Sequence, residues 1–128
     1  MELKDSMKPA LAAKLTQIYE VDRYAGVWLE LCWVFGLRLR EAVMLRPQAA
    51  HEGEFLWLRE GTKGDLPRAV PIRTQAQADV LERAKRLADK NTGVLWARGK
   101  TAEQKIKRLY DVMKLVGLPE SDIRRACA

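Results

Sequence analysis

Between Asp22 and Gly36, apolar side chains recur at Tyr24, Val27, Trp28, Leu31, Cys32 and Phe35. Steps of three and four keep them on one broad face of an α-helix, wide enough to mark a core helix. Asp22 suits the cap that starts it, and Gly36 suits the stop. The run from Val27 to Phe35 is too short to cross a bilayer and is interrupted by Glu30. Whatever else this chain forms, it is organised around one buried helix.

The neighbouring segments supply the packing partners. Residues 8–20 predict a helix with Pro9 in its first turn and Leu11, Leu15 and Ile18 as its stripe. A third helix is expected from near Arg38 to Arg46-Pro47, because a proline disfavours helix in the residue before it. His51-Glu52-Gly53 is expected to be a loop. Glu54 to Glu60 predicts a strand, 61–67 a turn rich in Gly, Asp and Pro, and Arg68 to Ile72 the returning strand. Pro71 removes a ladder donor and points to an edge or strand end. Thr74 caps a helix expected to reach Lys90, with Val80, Leu81, Ala84, Leu87 and Ala88 inward. Gly93-Val94-Leu95-Trp96 predicts a short apolar strand or extended segment. Thr101 and Gln104 form a capping box before a helix striped by Ile106, Leu109, Tyr110, Met113 and Val116 and stopped by Gly117. Pro119 to Asp122 resembles one more helix start. The fold class is therefore α+β, mainly α, with a small antiparallel β-sheet, in a single domain over residues 1–128.

Among 128 residues the net charge is +6 and the pI about 9.5, which favours an anionic partner such as nucleic acid. A soluble, somewhat basic protein is the plainer alternative. Cys32 lies in the apolar helix and suits a small buried hydrophobe. With Cys127 it makes no disulfide framework, so a reducing compartment fits. The first residues carry Lys4, Asp5 and Lys8 and no apolar core of a signal peptide. Trp28, Trp33, Trp57 and Trp96 sit in apolar segments and are expected in the core rather than as a base-stacking platform.

Two short motifs carry chemistry. In the first, Gly36-Leu37-Arg38-Leu39-Arg40-Glu41 leads into an apolar helical run ending at Leu45. Arginine is suited to phosphate because its planar fork donates two hydrogen bonds and keeps its charge, and the start of a helix adds free N–H groups. Glu41, three residues on, is placed to orient a nearby basic group. Equally, Arg38 and Arg40 suit a solvated surface, with Glu41 in ordinary i, i+3 contact. In the second motif, Lys63 stands at a hairpin tip in the register Lys63-Gly64-x-x-x-Arg68-x-Val70-Pro71-Ile72. A lysine there can protonate a departing 5′ oxygen, general acid work that contributes ~10²–10⁴-fold. It is also what a plain solvated loop lysine looks like. Between Arg98 and Arg125 there are eight basic and four acidic residues, either a phosphate-tracking face or a solvated helix surface.

Taken together and in this order, Gly36, Leu37, Arg38, Glu41 and Leu45, then Thr62, Lys63, Gly64, Arg68, Val70, Pro71 and Ile72, resemble the first half of the catalytic domain of tyrosine recombinases, the phage integrase family. The apolar Val94-Leu95-Trp96 and the glycine-stopped helix before Gly117 extend the resemblance over about residues 8–125. Thr62-Lys63-Gly64 and Pro71 to Gln75 are most similar to integrase-domain proteins of bacterial mobile elements.

The resemblance implies a DNA integration and recombination protein that acts on double-stranded DNA without metal or nucleotide cofactor. It implies Arg38 on the scissile phosphate, Lys63 as general acid and Glu41 as support. Arg40, Thr62, Arg68, Lys100 and Arg108 are the expected further DNA contacts. It also implies a bacterial, cytoplasmic, DNA-associated protein with no membrane partner, and allows self-association on DNA in a longer protein. In the family an H-x-x-R segment and a nucleophilic tyrosine follow. Here the sole histidine is His51, ahead of the strands, and no histidine precedes Arg124 and Arg125. Tyr19, Tyr24 and Tyr110 all fall on helical stripes, as core or half-buried residues. The expectation is a catalytic domain cut at both ends and inactive in strand cleavage by itself. Two rivals stand beside it: a non-catalytic DNA-binding or regulatory protein on the same fold, and a small basic helical module unrelated to recombination.

Overall fold

The computed structural model describes residues 8–96 and 100–121. Six helices and three strands follow in order: α1 (Lys8–Val21), α2 (Arg23–Phe35), α3 (Leu39–Met44), α4 (Pro47–Ala50), β1 (His51–Glu52), β2 (Phe55–Leu58), β3 (Arg68–Pro71), α5 (Gln75–Leu87) and α6 (Ala102–Leu115). The mainly helical α+β class with one small antiparallel sheet is what the sequence predicts.

α2 is the central helix, and α1, α3, α5 and α6 all pack against it. Ala25, Val27, Trp28, Leu29, Leu31 and Cys32 have no exposed surface. Its start is set by Asp22, whose Oδ1 accepts from the N–H of Tyr24 at 2.9 Å and of Ala25 at 3.4 Å. Its end is set by Gly36, left-handed at φ 68, whose N–H reaches the Cys32 carbonyl. The capping boxes at Thr74 and Gln77 of α5 and at Thr101 and Gln104 of α6 are both formed.

The sheet has the order β1-β2-β3, antiparallel throughout, with Leu56 opposite Val70 and Leu58 opposite Arg68. Leu56 and Leu58 point into the core, while Phe55 and Trp57 face outward. Pro71 closes β3, an edge strand, where its missing N–H costs no ladder bond.

Several details differ from expectation, each for a local reason. The chain does leave its helix before Pro47, but Pro47 then opens α4, since its fixed φ suits a first helical position. His51 and Glu52 pair with Leu56 and Phe55 as a strand, not a loop. α5 stops at Leu87, where Ala88 turns extended. Residues 93–96 form no strand. On α6 the buried face runs through Lys105, Leu109, Val112 and Met113, so Ile106 and Tyr110 lie at its margin.

The tryptophans also divide. Trp28 is fully buried and Trp57 is 37% exposed, as the alternation of a one-sided strand requires. Trp33 and Trp96 are half-buried. The expectations for Arg98, Asp122, Arg124, Arg125 and Cys127, and for the Leu11 side chain, lie outside the described residues. No helix among the described residues is long and apolar enough to cross a membrane.

Candidate nucleic-acid interface

Just beyond the C-terminal end of α2, the chain turns at Gly36 and starts α3 with Arg38 as its N-cap residue. Glu41, in the first turn of α3, has no exposed surface. Its Oε1 accepts from the Arg38 N–H at 2.8 Å, closing the start of the helix. The same carboxylate receives the guanidinium of Arg68 from β3. Arg68 Nη2 donates to Oε1 at 2.7 Å and Nε donates to Oε2 at 2.9 Å, a two-pronged pair across 27 residues of sequence. Arg38 Nη1 approaches Oε2 at 3.6 Å, and Arg68 Nη2 also reaches the Gly36 carbonyl at 3.5 Å. Burial by itself raises the pKa of Glu41. The Arg68 hydrogen bonds, the Arg38 N–H and the two guanidinium charges outweigh it and hold the carboxyl below its ordinary value.

Gly61 brings the hairpin loop onto the same turn. It has φ +75, and a Cβ there would stand 2.8 Å from the Arg40 carbonyl oxygen. Only glycine allows both the backbone sign and the approach. Thr62 follows, buried, with its Oγ1 lacking a hydrogen-bond partner. Lys63 is the next residue and emerges into solvent at the head of a tight turn, Lys63–Asp65. Arg46 adds a further tie from the end of α3 to the end of β2, with its Nε 3.0 Å from Glu60.

The two sequence motifs are therefore brought together by α3 and the loop that lies against it. Arg38 and Lys63 are both exposed, Arg38 with Nη1 3.6 Å from Glu41. The other expected contacts are placed differently. Arg40 is exposed but donates to Glu103 at the start of α6, at 2.6 Å. Thr62 faces inward. Arg68 is spent on Glu41.

Lys100 lies over the Trp96 ring, 5.5 Å from its centroid, and Arg108 lies 4.7 Å from the same centroid while donating through Nε to Asp22 Oδ2. Trp96 itself holds a left-handed φ of 72, unusual for a bulky residue. The basic run after residue 98 is thus not one uniform face: Lys105 is buried, with Nζ donating to the Val43 carbonyl at 3.4 Å. Burial lowers the Lys105 pKa, with Glu60 acting against that and Arg46 with it.

His51 stands apart from this surface. Its Nδ1 accepts from Lys85 Nζ at 2.6 Å, and its Nε2 donates to the Gly53 carbonyl at 3.0 Å. Tyr19 donates from its hydroxyl to Glu30 Oε1 at 2.5 Å, and Arg83 bonds the same carboxylate oxygen at 2.6 Å. Burial first, then Glu30, pushes the Tyr19 phenol pKa well up. Arg68, expected as a DNA contact, has Glu41 as its partner. Its register was visible, but its buried partner, 27 positions earlier, was not.

The sequence profile of the integrase family, described as "Integrase", matches residues 4–118. This chain belongs to the integrase family, within the tyrosine recombinases, and is a protein of DNA integration and recombination. No curated protein and no solved structure matches it.

Proposed function

We propose that this chain binds double-stranded DNA on the surface formed by α3 and the β2–β3 hairpin, with Arg38 on a backbone phosphate and Lys63 beside it. The observation that carries the reading is the shared anchor: Glu41 caps the turn bearing Arg38 and holds the strand that returns from Lys63. Two cations on one rigid, open support suit an extended polyanion. In a complete enzyme of the family, where a tyrosine hydroxyl attacks the phosphorus and the 5′ oxygen departs, Lys63 would give that oxygen its proton and Arg38 would stabilise charge on the phosphate.

Binding without cleavage is the form of this activity the residues support. The chain has three tyrosines. Tyr19 is committed to Glu30, and Tyr24 and Tyr110 are half-buried against the core. Titration of a short duplex at several salt concentrations tests the binding. Affinity is expected to be weak and to fall steeply with salt, each phosphate contact contributing about 0.9 to the slope of log K against log salt. Arg38→Ala and Lys63→Ala each reduce that slope while leaving the melting temperature nearly unchanged. Tight binding indifferent to salt would overturn the proposal. Incubation with a nicked suicide duplex is expected to leave no covalent protein–DNA adduct. An adduct lost on mutating Tyr19, Tyr24 or Tyr110 would overturn the binding-only form.

A further inference from the structure

We infer that Arg68 is a positioning residue, which acts on DNA only through Lys63 by fastening the hairpin to the first turn of α3. The inference rests on the DNA-binding reading above and adds to it the part that sets the geometry between the two cations.

Three observations converge on it. The guanidinium of Arg68 meets a fully buried carboxylate with both prongs, at 2.7 and 2.9 Å, and touches the Gly36 carbonyl at the turn before Arg38. Its Nε and Nη2 donors are thereby aimed inward, while the side chain as a whole is 37% exposed. Gly61 and the buried Thr62 press the other arm of the hairpin onto the same turn, which leaves Lys63 as the first residue free to project. Both stems are thus tied to α3, one by an ion pair and one by backbone contact. Lys63 and Arg38 are then two ends of one braced unit. Lysine in place of Arg68 keeps the charge and loses the fork.

This separates Arg68 from a direct phosphate contact, for which lysine is a serviceable substitute. Under the clamp, Arg68→Lys loosens the hairpin: amide hydrogen exchange in residues 59–67 rises about tenfold relative to the core helices, in the absence of DNA, as expected when a local brace is lost. Duplex binding drops toward the level of Lys63→Ala. In the Arg68→Lys background, Lys63→Ala then costs little more, so the two losses fail to multiply by about threefold, the mark of coupled residues. Because Arg68→Met strands the buried carboxylate, Glu41→Gln/Arg68→Met serves as the second variant and is expected to show the same hairpin exchange and the same missing Lys63 effect.

Wild-type exchange at 59–67 in both variants would overturn the clamp. So would full multiplication of the Lys63→Ala and Arg68→Lys losses. If the wild-type chain fails to bind duplex at all, the DNA reading falls and the role of Arg68 through Lys63 falls with it. A rise in hairpin exchange would then establish only a structural brace.

Discussion

Glu41 and Asp22 are buried carboxylates at opposite ends of α2, and each does two jobs. Asp22 caps α2 and receives Arg108 from α6. Glu41 caps α3 and receives Arg68 from β3. In both, a local signal at a helix start doubles as the socket for a distant arginine. The difference lies in what the arginine brings with it. Arg108 also lies over Trp96, so the Asp22 corner ties one core helix to another. Arg68 brings a hairpin, so the Glu41 corner ties a core helix to a projecting loop. At one end of α2 the device contributes stability; at the other it also sets the placement of Lys63.

Removing Glu41 is the strongest way to break the comparison. Glu41→Gln removes the charge partner of Arg68, itself 37% exposed, and is expected to cost about 1.5–3 kcal/mol, the range for hydrogen bonds to a charged group, read by urea unfolding. Gly61→Ala attacks the same corner through the backbone. With φ +75 and a Cβ 2.8 Å from the Arg40 oxygen, it is expected to cost about 1–3 kcal/mol and to weaken duplex binding.

Asp22→Ala is expected to cost about 1–2 kcal/mol, chiefly as a lost cap, and to leave duplex binding per folded molecule unchanged. A binding loss there equal to that of Glu41→Gln would erase the contrast. Acid sharpens it. Because the folded-state pKa of Glu41 is depressed, its contribution is fully present above its ordinary pKa and is lost as pH falls through the folded value. The stability gap between wild type and Glu41→Gln should therefore narrow below about pH 4. Lys107→Ala, which removes an exposed i, i+4 pair with Asp111, sets the floor at less than about 0.5 kcal/mol.

What was legible in the sequence was local. Asp22, Gly36, Thr74 with Gln77 and Thr101 with Gln104 announce their helix ends because caps are short-range hydrogen bonds. The period of three and four exposed α2. Elements of two and four residues, β1 and α4, were missed because their formation depends on neighbours rather than on periodicity. The face of α6 was rotated because burial of the Lys105 stem breaks the rule that a charged residue marks the outside. At the site, the motif residues Arg38, Glu41 and Lys63 stood out by their register. The pairing of Glu41 with Arg68 did not, since nothing in a chain marks contact between positions 27 apart. Trp57 follows the two-residue alternation of its strand, which turns an apolar ring outward.

Burial of Tyr19, and after it the hydrogen bond to Glu30, also bears on how this protein responds to light in alkali. A phenol ionises only by surrendering the proton that the carboxylate holds, and Arg83 does not offset this. Its contribution to the rise in near-ultraviolet absorbance that accompanies tyrosinate should therefore arrive only when the fold itself gives way. Glu30→Gln should bring that rise to lower pH, making this one ring an optical reporter of whether α1 still lies against α2.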